Sequence, residues 1–583
     1  MRFVCIERFV LVIFLFISFI TSGSEFKQDV YKSPVVTQIA NIKKLDSDHR
    51  ERKHIVILGA GIAGLTAAYE LSTLGHSVEI IEASNRPGGR IWTHYFKTSD
   101  QYGELGAMRI PASHDYTHYY INVAGLQNKL RPFITSHQNP NCFYHFRGHP
   151  PIRMRESAHF IEQEYRLASY EQHILISDFS PKILSTHLWN AVDSLHSKGK
   201  KNQEEWSGLF GGTLLNDRAQ NIEKLSLGEF LEQKLSGNPE AKELIGVTTG
   251  LELWWDKAVT MFLREEITGT GNGLKEIDGG FSTLPNALVK LLTEEKVKFR
   301  LETEVTSIEV PSEPHQKITL KTRPTIVQPE TEYSVSTKEK VSLEKADFVL
   351  CTIPFGVMRT MELKGLSPEK MKAIRNLTYA SSTKVLLHFK DRFWERGSDQ
   401  EQILGGASMS DGITRCTYYP SDHAESRSLV PPEEEESTGV FTIFKPLEIR
   451  RNSKTPIRPD PIPGVLLGSY NWGQDAIRLG TLTSAERTEI VLNELEKFHP
   501  EIRQYLNQKE AGKSIFWDTY PWTRGAFCGM RPNDMLNYHH ASKKNEGNLY
   551  FAGEHCSLDP GWVQGAIKTA LDAVEEIVKA NPI

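Results

Sequence analysis

The chain has 583 residues, of which 39% are hydrophobic and 24% are charged, an ordinary balance for globular protein and enough length for about two to four domains. The formal net charge is -5, so basic residues are not in excess and the composition argues against a nucleic-acid partner. The histidines and cysteines are scattered without ligand spacing, and no metal site is predicted.

Residues 1–23 have the order of a secretory signal. A basic segment precedes an apolar run from Phe9 to Ile20, and small polar residues follow. The run is too short to span a bilayer as a mature helix, and no later stretch is longer, so we expect no stable membrane span. We expect a secreted or periplasmic protein, with a retained membrane anchor as the alternative. Residues 24–52 are polar and unpatterned, which predicts a leader or a loosely docked arm.

The first patterned segment begins at residue 54. His54 to Leu58 predicts a buried strand, Ile62 to Leu74 predicts a helix, and Ser77 to Glu82 predicts a second buried strand. A glycine-rich turn joins the first strand to the helix. This strand, turn, helix and strand order is typical of a dinucleotide-binding βαβ unit.

The glycines of that turn have separate physical roles. Gly59 permits the tight turn, Gly61 lets backbone approach a pyrophosphate, and Gly64 lets the helix pack on the strand. The helix N-terminus offers unpaired N–H groups to the phosphates, and Glu82 can accept hydrogen bonds from ribose hydroxyls. The glycine pattern alone also fits a plain tight turn, but all four parts together predict a dinucleotide site.

The rest of the chain changes pattern several times. Residues from about 156 to 265 read as helical, with a capping box formed by Ser226 and Glu229. Strand-like segments return at Val297 to Val310, Lys317 to Thr322 and Phe348 to Ile353. A C-terminal helix is predicted from an apolar stripe made by Ile567, Ala570, Leu571, Val574, Ile577 and Val578.

Two segments near opposite ends of the chain resemble the FAD-binding segments of the flavin-dependent amine oxidase superfamily. The first is "EASNRPGGR", in which Gly89 and Arg90 follow the second strand, and the second is "GNLYFAGEHCSLDPGWVQGAI". The resemblance implies that Glu554 bonds the ribityl chain and that a helix starting near Gly565 points at the flavin and pyrophosphate. Cys528 lies one residue off the position of the covalently linked cysteine of monoamine-type members, so we expect non-covalent FAD.

The resemblance covers nearly all of the chain after residue 52 and implies an α/β fold. We expect a discontinuous Rossmann-like FAD-binding domain (GR2-type), a mixed-sheet substrate domain and an inserted helical domain. The expected divisions are a signal peptide (1–23), a leader or arm (24–52), FAD-binding parts (53–115, 266–378 and 517–583), substrate-binding parts (116–155 and 379–516) and a helical domain (156–265).

The same resemblance implies a set of FAD contacts in the glycine turn, in the "LGAMRIP" segment, in the C-terminal segment and at two isolated positions. They are Gly59, Gly61, Ile62, Ala63, Gly64, Glu82, Ala83, Gly89, Arg90, Gly106, Ala107, Met108, Arg109, Val305, Trp517, Gly553, Glu554, Gly561, Trp562, Val563, Gln564 and Ala566.

Arg109 lies in a Gly-rich, mostly apolar stretch, Tyr102 to Pro111. A guanidinium does not deprotonate in proteins and is rarely buried without a partner. "LGAMRIP" resembles a segment of L-amino-acid oxidases in which this arginine holds the substrate carboxylate through two parallel hydrogen bonds. Ala107 stands where those proteins often have proline. The alternative is a structural arginine paired with Glu104 or a surface acid.

Further site residues follow from the resemblance. Tyr470 bonds the same carboxylate, the Gly561 carbonyl accepts a hydrogen bond from the substrate amine, and Trp562 lines the pocket. Lys384 holds a water near the reactive flavin nitrogen N5, and Trp517 flanks the flavin. The alternatives are a packed strand tyrosine, core tryptophans, and a lysine that faces solvent at a sheet edge.

Together the motifs imply an FAD-dependent L-amino-acid oxidase, an enzyme with Lys384, Arg109 and Tyr470 as its catalytic set. It would transfer a hydride from the α-carbon to the flavin, with dioxygen as electron acceptor, and yield a 2-oxo acid, ammonia and hydrogen peroxide. A homodimer or higher homo-oligomer is expected. The alternatives are an amino-acid 2-monooxygenase that yields an amide, an amine or polyamine oxidase, and a non-catalytic Rab-escort-like binding protein on the same fold.

The preferred side chain is left open by the segment from Gly250 to Phe262, which lies where the helical region would close over the site. Trp254 and Trp255 favour an apolar or aromatic substrate, whereas Asp256 would suit a cationic side chain. A helix with core tryptophans and a solvent-facing acid fits the segment equally well.

Overall fold

The computed structural model describes residues 33–49, 52–135, 138–169, 221–235, 237–267, 271, 273–313, 316–329, 331–428, 447–451 and 461–580. The predicted signal peptide, residues 1–23, lies outside the described residues. About half of the predicted helical domain, residues 170–220, lies outside them as well.

A parallel sheet of five strands is built from segments that are far apart in the chain. Its order is Leu549–Phe551, Phe348–Cys351, His54–Leu58, Ser77–Ile81 and Lys298–Arg300. In the central strand, Ile55 and Ile57 face one apolar cluster while Val56 and Leu58 face another. A strand covered on both faces has no polar side, which is why it is a continuous apolar run in the sequence.

Two of the helices that cover one face of this sheet come from distant parts of the chain. They are Ile62–Thr73, which follows the glycine turn, and Val563–Lys579 at the C-terminal end. The whole apolar stripe predicted for the second helix is buried, which confirms it; its members are Ile567, Ala570, Leu571, Val574, Ile577 and Val578.

The segment before the first strand differs from the prediction of an unpatterned, loosely docked arm. Pro34–His49 is a helix that buries Val35, Ile39 and Ile42 in the same core as the two helices above. Spacings of four and three residues place these side chains on one helical face, but a mostly polar sequence around them hides the stripe. The Gln38 side-chain amide also donates to Asp572 on the C-terminal helix at 2.7 Å. The helix is therefore packed onto the domain that contains the parallel sheet.

A second, seven-stranded sheet is mixed, as predicted. Its order is Gly512–Phe516, Ser382–Phe389, Gly464–Trp472, Cys416–Tyr418, Ala407–Ser410, Phe143–His145 and Ile152–Arg153. Ala407–Ser410 and Phe143–His145 pair in parallel, while the other neighbours in this sheet are antiparallel.

The remaining strands form smaller sheets. Ser334–Ser336, Ile318–Val327, Thr303–Glu309 and Glu362–Lys364 make a further sheet, with Ser342–Ala346 beside the second of them. Within the described residues there are also four strand pairs: Thr93–Tyr95 with Tyr102–Glu104, Leu130–Pro132 with Lys275–Ile277, Tyr379–Ala380 with Phe527–Cys528, and Ala424–Ser428 with Leu447–Arg451.

A helical region with its own apolar cluster lies beside the seven-stranded sheet. Its described helices are Ser157–Glu164, Leu227–Lys234, Pro239–Thr249 and Val259–Ile267. The predicted capping box is present, because Ser226 and Glu229 exchange hydrogen bonds at the start of the second helix. The other helices are Asp115–Val123, Thr283–Glu294, Phe355–Met358, Pro368–Asn376, Gly473–Gly480, Ser484–Leu495, Ile502–Tyr505 and His540–Lys543. Across the described ranges, no helix is long and apolar enough to cross a membrane.

Candidate active site

A cavity of about 610 Å³ lies where the parallel sheet, the seven-stranded sheet and the helical region meet. Four residues that follow strands of the parallel sheet line it: Gly59, Glu82, Thr352 and Gly553. Open α/β sheets bind their ligands at the carboxyl ends of their strands. The cavity is therefore at the position expected for a cofactor, and its far side is formed by other parts of the chain.

The glycine turn has the geometry that its sequence predicts. Gly59 has a φ of +105°, which an L side chain rarely adopts. A Cβ on Gly64 would lie 2.0 Å from the Gly59 carbonyl oxygen, so the helix packs on the turn only because residue 64 is glycine. A Cβ on Gly61 would meet nothing within 4 Å. Gly61 borders the cavity, so this open space is where a pyrophosphate can approach the backbone.

Glu82 is held in one orientation at the end of the second strand. The Ala60 amide donates to Glu82 Oε2 at 2.7 Å, and the Ser84 amide and hydroxyl donate to Oε1 at 2.8 Å each. Each oxygen of an ionised carboxylate accepts more than one hydrogen bond. The carboxylate is therefore fixed at the cavity wall with capacity left for a ribose hydroxyl.

Glu554 joins the two sequence segments of flavin type. Arg90 Nη1 donates to Glu554 Oε1 at 2.6 Å, and the Gly561 amide donates to Oε2 at 2.9 Å. Burial acts to raise the pKa of Glu554, but the Arg90 charge and the hydrogen bonds outweigh it and hold the pKa below its usual value. The ionised Glu554 side chain therefore links the "GGR" segment to the "PGW" segment, in addition to any contact that it makes with a ligand.

Arg109 lines the cavity, and within the described ranges its guanidinium forms no hydrogen bond or ion pair. Its Cζ lies 6.0 Å from the centre of the Trp562 ring. Glu104, the alternative partner, instead accepts hydrogen bonds from the Thr93 hydroxyl at 3.0 Å and the Phe281 amide at 2.7 Å. The pairing of Arg109 with Glu104 is therefore not formed, and a full set of guanidinium donors faces the cavity.

Lys384 and Tyr470 are cross-strand partners in the seven-stranded sheet. Lys384 is only 1% exposed, and its strand has neighbours on both sides, so a lysine at a solvent-facing sheet edge is the wrong interpretation. Its Nζ donates to the Gly106 carbonyl at 2.7 Å and lies 4.3 Å from the centre of the Tyr470 ring. Burial lowers the pKa of Lys384 well below its usual value, although the Glu104 carboxylate opposes this shift.

Two tryptophans that line the cavity are each anchored by the indole N–H. Trp517 Nε1 donates to the Leu105 carbonyl at 3.1 Å, and Trp562 Nε1 donates to Glu265 Oε1 at 2.8 Å. Glu265 was not predicted from the sequence, where it is one of several charged residues in a helix. Burial raises the pKa of Glu265, and the Arg109 charge acts in the opposite direction. The cavity therefore holds a buried carboxyl group close to an unpaired guanidinium.

Two of the predicted FAD contacts are not part of the cavity lining. Gly64 packs against the glycine turn without bordering the cavity, and the Gln564 side chain faces another helix. Gln564 Nε2 donates to Asp115 Oδ1 at 2.7 Å, and its Oε1 accepts from the Thr117 amide at 3.1 Å. The Gln564 side chain therefore ties the C-terminal helix to Asp115–Val123, and a cofactor contact at Gln564 stays a prediction that would involve its backbone. The other predicted residues all line the cavity.

The helical region contributes a wall that the sequence identifies only in part. Trp254 lines the cavity and stacks on Phe527 with the ring centres 5.4 Å apart. Trp255 packs away from the cavity near Lys242, and Asp256 pairs with Lys257 at 2.8 Å, also outside the cavity. Asp256 as a partner for a cationic substrate is therefore wrong. The lining residues that sequence reasoning missed on this side include Thr249, Leu251, Met261, Phe262, Glu265, Cys416, Tyr418, Trp472 and Phe527.

Cysteine and metal-binding side chains are the remaining features of the cavity region. Cys528 is buried, and its neighbour Phe527 lines the cavity instead. Among the described residues, no group of three or more His, Cys, Asp or Glu side chains is arranged to hold a metal ion.

The parallel sheet, the glycine turn with open space at Gly61, and the acid after the second strand define the dinucleotide-binding class of oxidoreductase fold. The chain belongs to the flavin containing amine oxidoreductase family, whose sequence profile matches residues 62–578. It is an FAD-dependent oxidoreductase, which leaves no support for a Rab-escort-like binding protein.

The relatives agree with this membership, and a solved structure has the same fold. The chain is 32% identical over 535 residues to the flavin-dependent L-tryptophan oxidase RebO of Lentzea aerocolonigenes, across 91% of this chain and 98% of that protein. It is 29% identical to an L-amino-acid oxidase of Siganus canaliculatus, across 90% of this chain and 85% of the relative. The structure of cyclohexylamine oxidase from Brevibacterium oxydans has the same fold, with a TM-score of 0.60, 17% identity, and coverage of 91% of this chain and 99% of that one.

Proposed function

We propose that the protein is an FAD-dependent L-amino-acid oxidase. The observation that carries the proposal is the unpaired Arg109 guanidinium in the cavity, next to Trp562. A planar guanidinium matches a carboxylate through two parallel hydrogen bonds. Amines and polyamines carry no carboxylate, so they would leave this cation without a partner in a partly dry site. The relatives named as L-amino-acid and L-tryptophan oxidases support the same substrate class.

The residues of the chain would bind and orient the substrate. Arg109 and the Tyr470 hydroxyl hold the carboxylate, and the Gly561 carbonyl accepts a hydrogen bond from the amine. Orientation of this kind supplies a large part of enzymatic rate enhancement. The aromatic lining disfavours the ammonium form, so the amine is kept neutral when its α-carbon is oxidised.

The glycine turn, Glu82 and the linked pair Arg90 and Glu554 would hold FAD. FAD supplies the two-electron chemistry when it is bound. Lys384 would orient a water beside the reacting centre from its buried position. Overall, an L-amino acid, dioxygen and water give a 2-oxo acid, ammonia and hydrogen peroxide.

The test is a product analysis on the purified protein loaded with FAD. The twenty protein amino acids, their D-enantiomers, and putrescine and cyclohexylamine as amines without a carboxylate are incubated with air, and peroxide, ammonia and 2-oxo acid are measured. We expect turnover of L-amino acids only, with the three products in equal amounts. An amide formed with loss of carbon dioxide would assign a 2-monooxygenase. Turnover of the amines but of no amino acid would contradict the proposal.

We also propose that residues 1–23 are a signal peptide that directs secretion or transport to the periplasm, and that the mature protein is a homo-oligomer. The charged, apolar and small-residue order of this segment supports export. N-terminal sequencing of the exported protein tests the cleavage, and light scattering tests the oligomeric state.

Limited proteolysis tests the proposed domain divisions, with cleavage expected near their limits.

A further inference from the structure

An ion-pair network behind the cavity joins the helical region to the seven-stranded sheet. Arg415 Nη1 donates to Glu252 Oε1, and Arg415 Nε donates to Asp475 Oδ2 at 2.6 Å. Glu252 belongs to the turn Leu251–Trp254 of the helical region, whereas Arg415 immediately precedes a strand of the sheet. The Arg415 and Asp475 side chains are 15% and 4% exposed, so solvent screens this pairing only weakly.

The network does not line the cavity, but residues close to Glu252 and Arg415 in the chain do. Leu251 and Trp254 lie on either side of Glu252 in the turn, and Cys416 follows Arg415. A Cβ added to Gly250, the residue before the turn, would lie 3.5 Å from Cys416 Sγ. The turn Leu251–Trp254 therefore packs directly against the strand Cys416–Tyr418, which Arg415 precedes.

Trp254 is the part of this turn that shapes the cavity. Its ring stacks on Phe527 at 5.4 Å and lies 5.8 Å from the Trp472 ring. The Trp472 ring is in turn 4.1 Å from that of Tyr470, which is proposed to bind the substrate carboxylate. A continuous aromatic surface thus runs from the carboxylate-binding side of the cavity to Trp254.

The backbone at Arg415 belongs to the hairpin that connects Ala407–Ser410 to Cys416–Tyr418. Its φ of +53° is in the left-handed region, which is unfavourable for a residue with a long side chain. Backbone hydrogen bonds hold this conformation, because the Ser410 amide donates to the Arg415 carbonyl at 2.8 Å and the Arg415 amide donates to the Gly412 carbonyl at 3.3 Å. Loss of the Arg415 charge would therefore leave the hairpin in place and release the turn that carries Trp254.

We propose that Arg415 is a positioning residue that fixes Trp254 through Glu252, and that the fixed indole wall makes the site selective for L-amino acids with a large aromatic side chain. This inference rests on the proposed function. An aromatic substrate side chain gains stacking and apolar contact from a flat, immobile wall. The methyl side chain of alanine does not extend to the wall, so the turnover of alanine is independent of the network.

The test compares Arg415→Met with Arg478→Met in FAD-loaded enzyme. Methionine keeps an unbranched apolar side chain at position 415 and removes the charge. Arg478 is the matched control, because it pairs with the same Asp475 at 2.6 Å but its side chain is 61% exposed and outside the cavity. The quantities are kcat and KM for L-tryptophan, L-phenylalanine and L-alanine, together with FAD content and Tm.

For Arg415→Met we expect kcat/KM to fall by about tenfold or more on the two aromatic substrates, mainly through KM, and to change by less than about twofold on alanine. Arg478→Met should leave the ratio of aromatic to alanine turnover unchanged. Glu252→Gln, which removes the other charge of the pair, should reproduce the effect and replaces Arg415→Met if that variant fails to fold. In Trp254→Leu the additional Arg415→Met substitution should have little further effect, because both act through one wall.

Equal proportional losses on alanine and the aromatic substrates, or additive losses in the double variant, would overturn the inference. An equal loss of selectivity in Arg478→Met would overturn it as well. These results are distinct from failure of the proposed function, in which the wild-type enzyme oxidises none of the three amino acids.

Discussion

Replacement of Arg109 by alanine tests the reasoning about the site most directly. The guanidinium forms no hydrogen bond or ion pair among the described residues, so its removal breaks none within that part of the protein. The substrate carboxylate, in contrast, loses a charge-assisted bidentate contact worth roughly 3–5 kcal/mol. At about 1.4 kcal/mol per tenfold, kcat/KM should fall on the order of a hundredfold to a few thousandfold. FAD content and Tm should stay near the wild-type values, because the groups around the glycine turn are untouched.

The assay is steady-state peroxide release across a range of substrate concentrations. Arg109→Lys serves as the charge control and should recover little of the loss, because a point charge does not reproduce the planar fork of donors. Amides or esters of the same amino acid serve as the substrate control, and on these the loss should be much smaller. An equal proportional loss on acid and amide would refute a carboxylate-binding role for Arg109 and remove the main support for an amino-acid substrate.

Three further variants test the cofactor site and the groups around Arg109. Gly61→Val should fold with an unchanged Tm in its apo form, since a Cβ there meets no protein atom within 4 Å, but it should bind FAD more weakly by about tenfold or more; normal FAD affinity in a titration would mean that the phosphates bind elsewhere. Lys384→Met should keep the fold and FAD while flavin reduction or reoxidation slows in stopped-flow measurements, and wild-type rates in both half-reactions would exclude a role near the flavin. Glu265→Gln keeps an acceptor for the Trp562 N–H but lacks the negative charge that appears near Arg109 as pH rises; because burial raises the pKa of Glu265, this charge develops at higher pH than for an ordinary glutamate. The wild-type KM should therefore increase with pH relative to that of Glu265→Gln, and superimposable KM–pH profiles would contradict this coupling.

Features set by neighbours in the sequence were predictable. The first strand and the helix after it follow from local apolar patterning and from glycines whose backbone roles are purely local. The same holds for the capping box at Ser226 and for the stripe of the C-terminal helix. Arg109 was recognisable because a permanent charge in an apolar stretch predicts an anionic ligand or partner, whatever the surrounding fold.

Features set by contacts between distant segments were not predictable. The helix Pro34–His49 became recognisable only through the core onto which it packs, because its three buried side chains are dispersed in a polar sequence. Gln564 follows a family motif, but its side chain is held by Asp115 and Thr117 from another helix and so turns away from the cavity.

The cavity wall formed by the helical region shows the same difference between features set by local sequence and features set by tertiary contacts. Trp254, Trp255 and Asp256 are adjacent in the sequence, and their chemistry alone allowed an aromatic or a cationic pocket. Packing of the turn against the distant sheet points one indole into the cavity and leaves its two neighbours outside. By itself the sequence determined the βαβ unit and the permanent cation at Arg109, because both depend on local backbone and charge. Only the tertiary structure decided which side chains surround that cation, because the direction of a side chain is set by segments that pack against it from elsewhere in the chain.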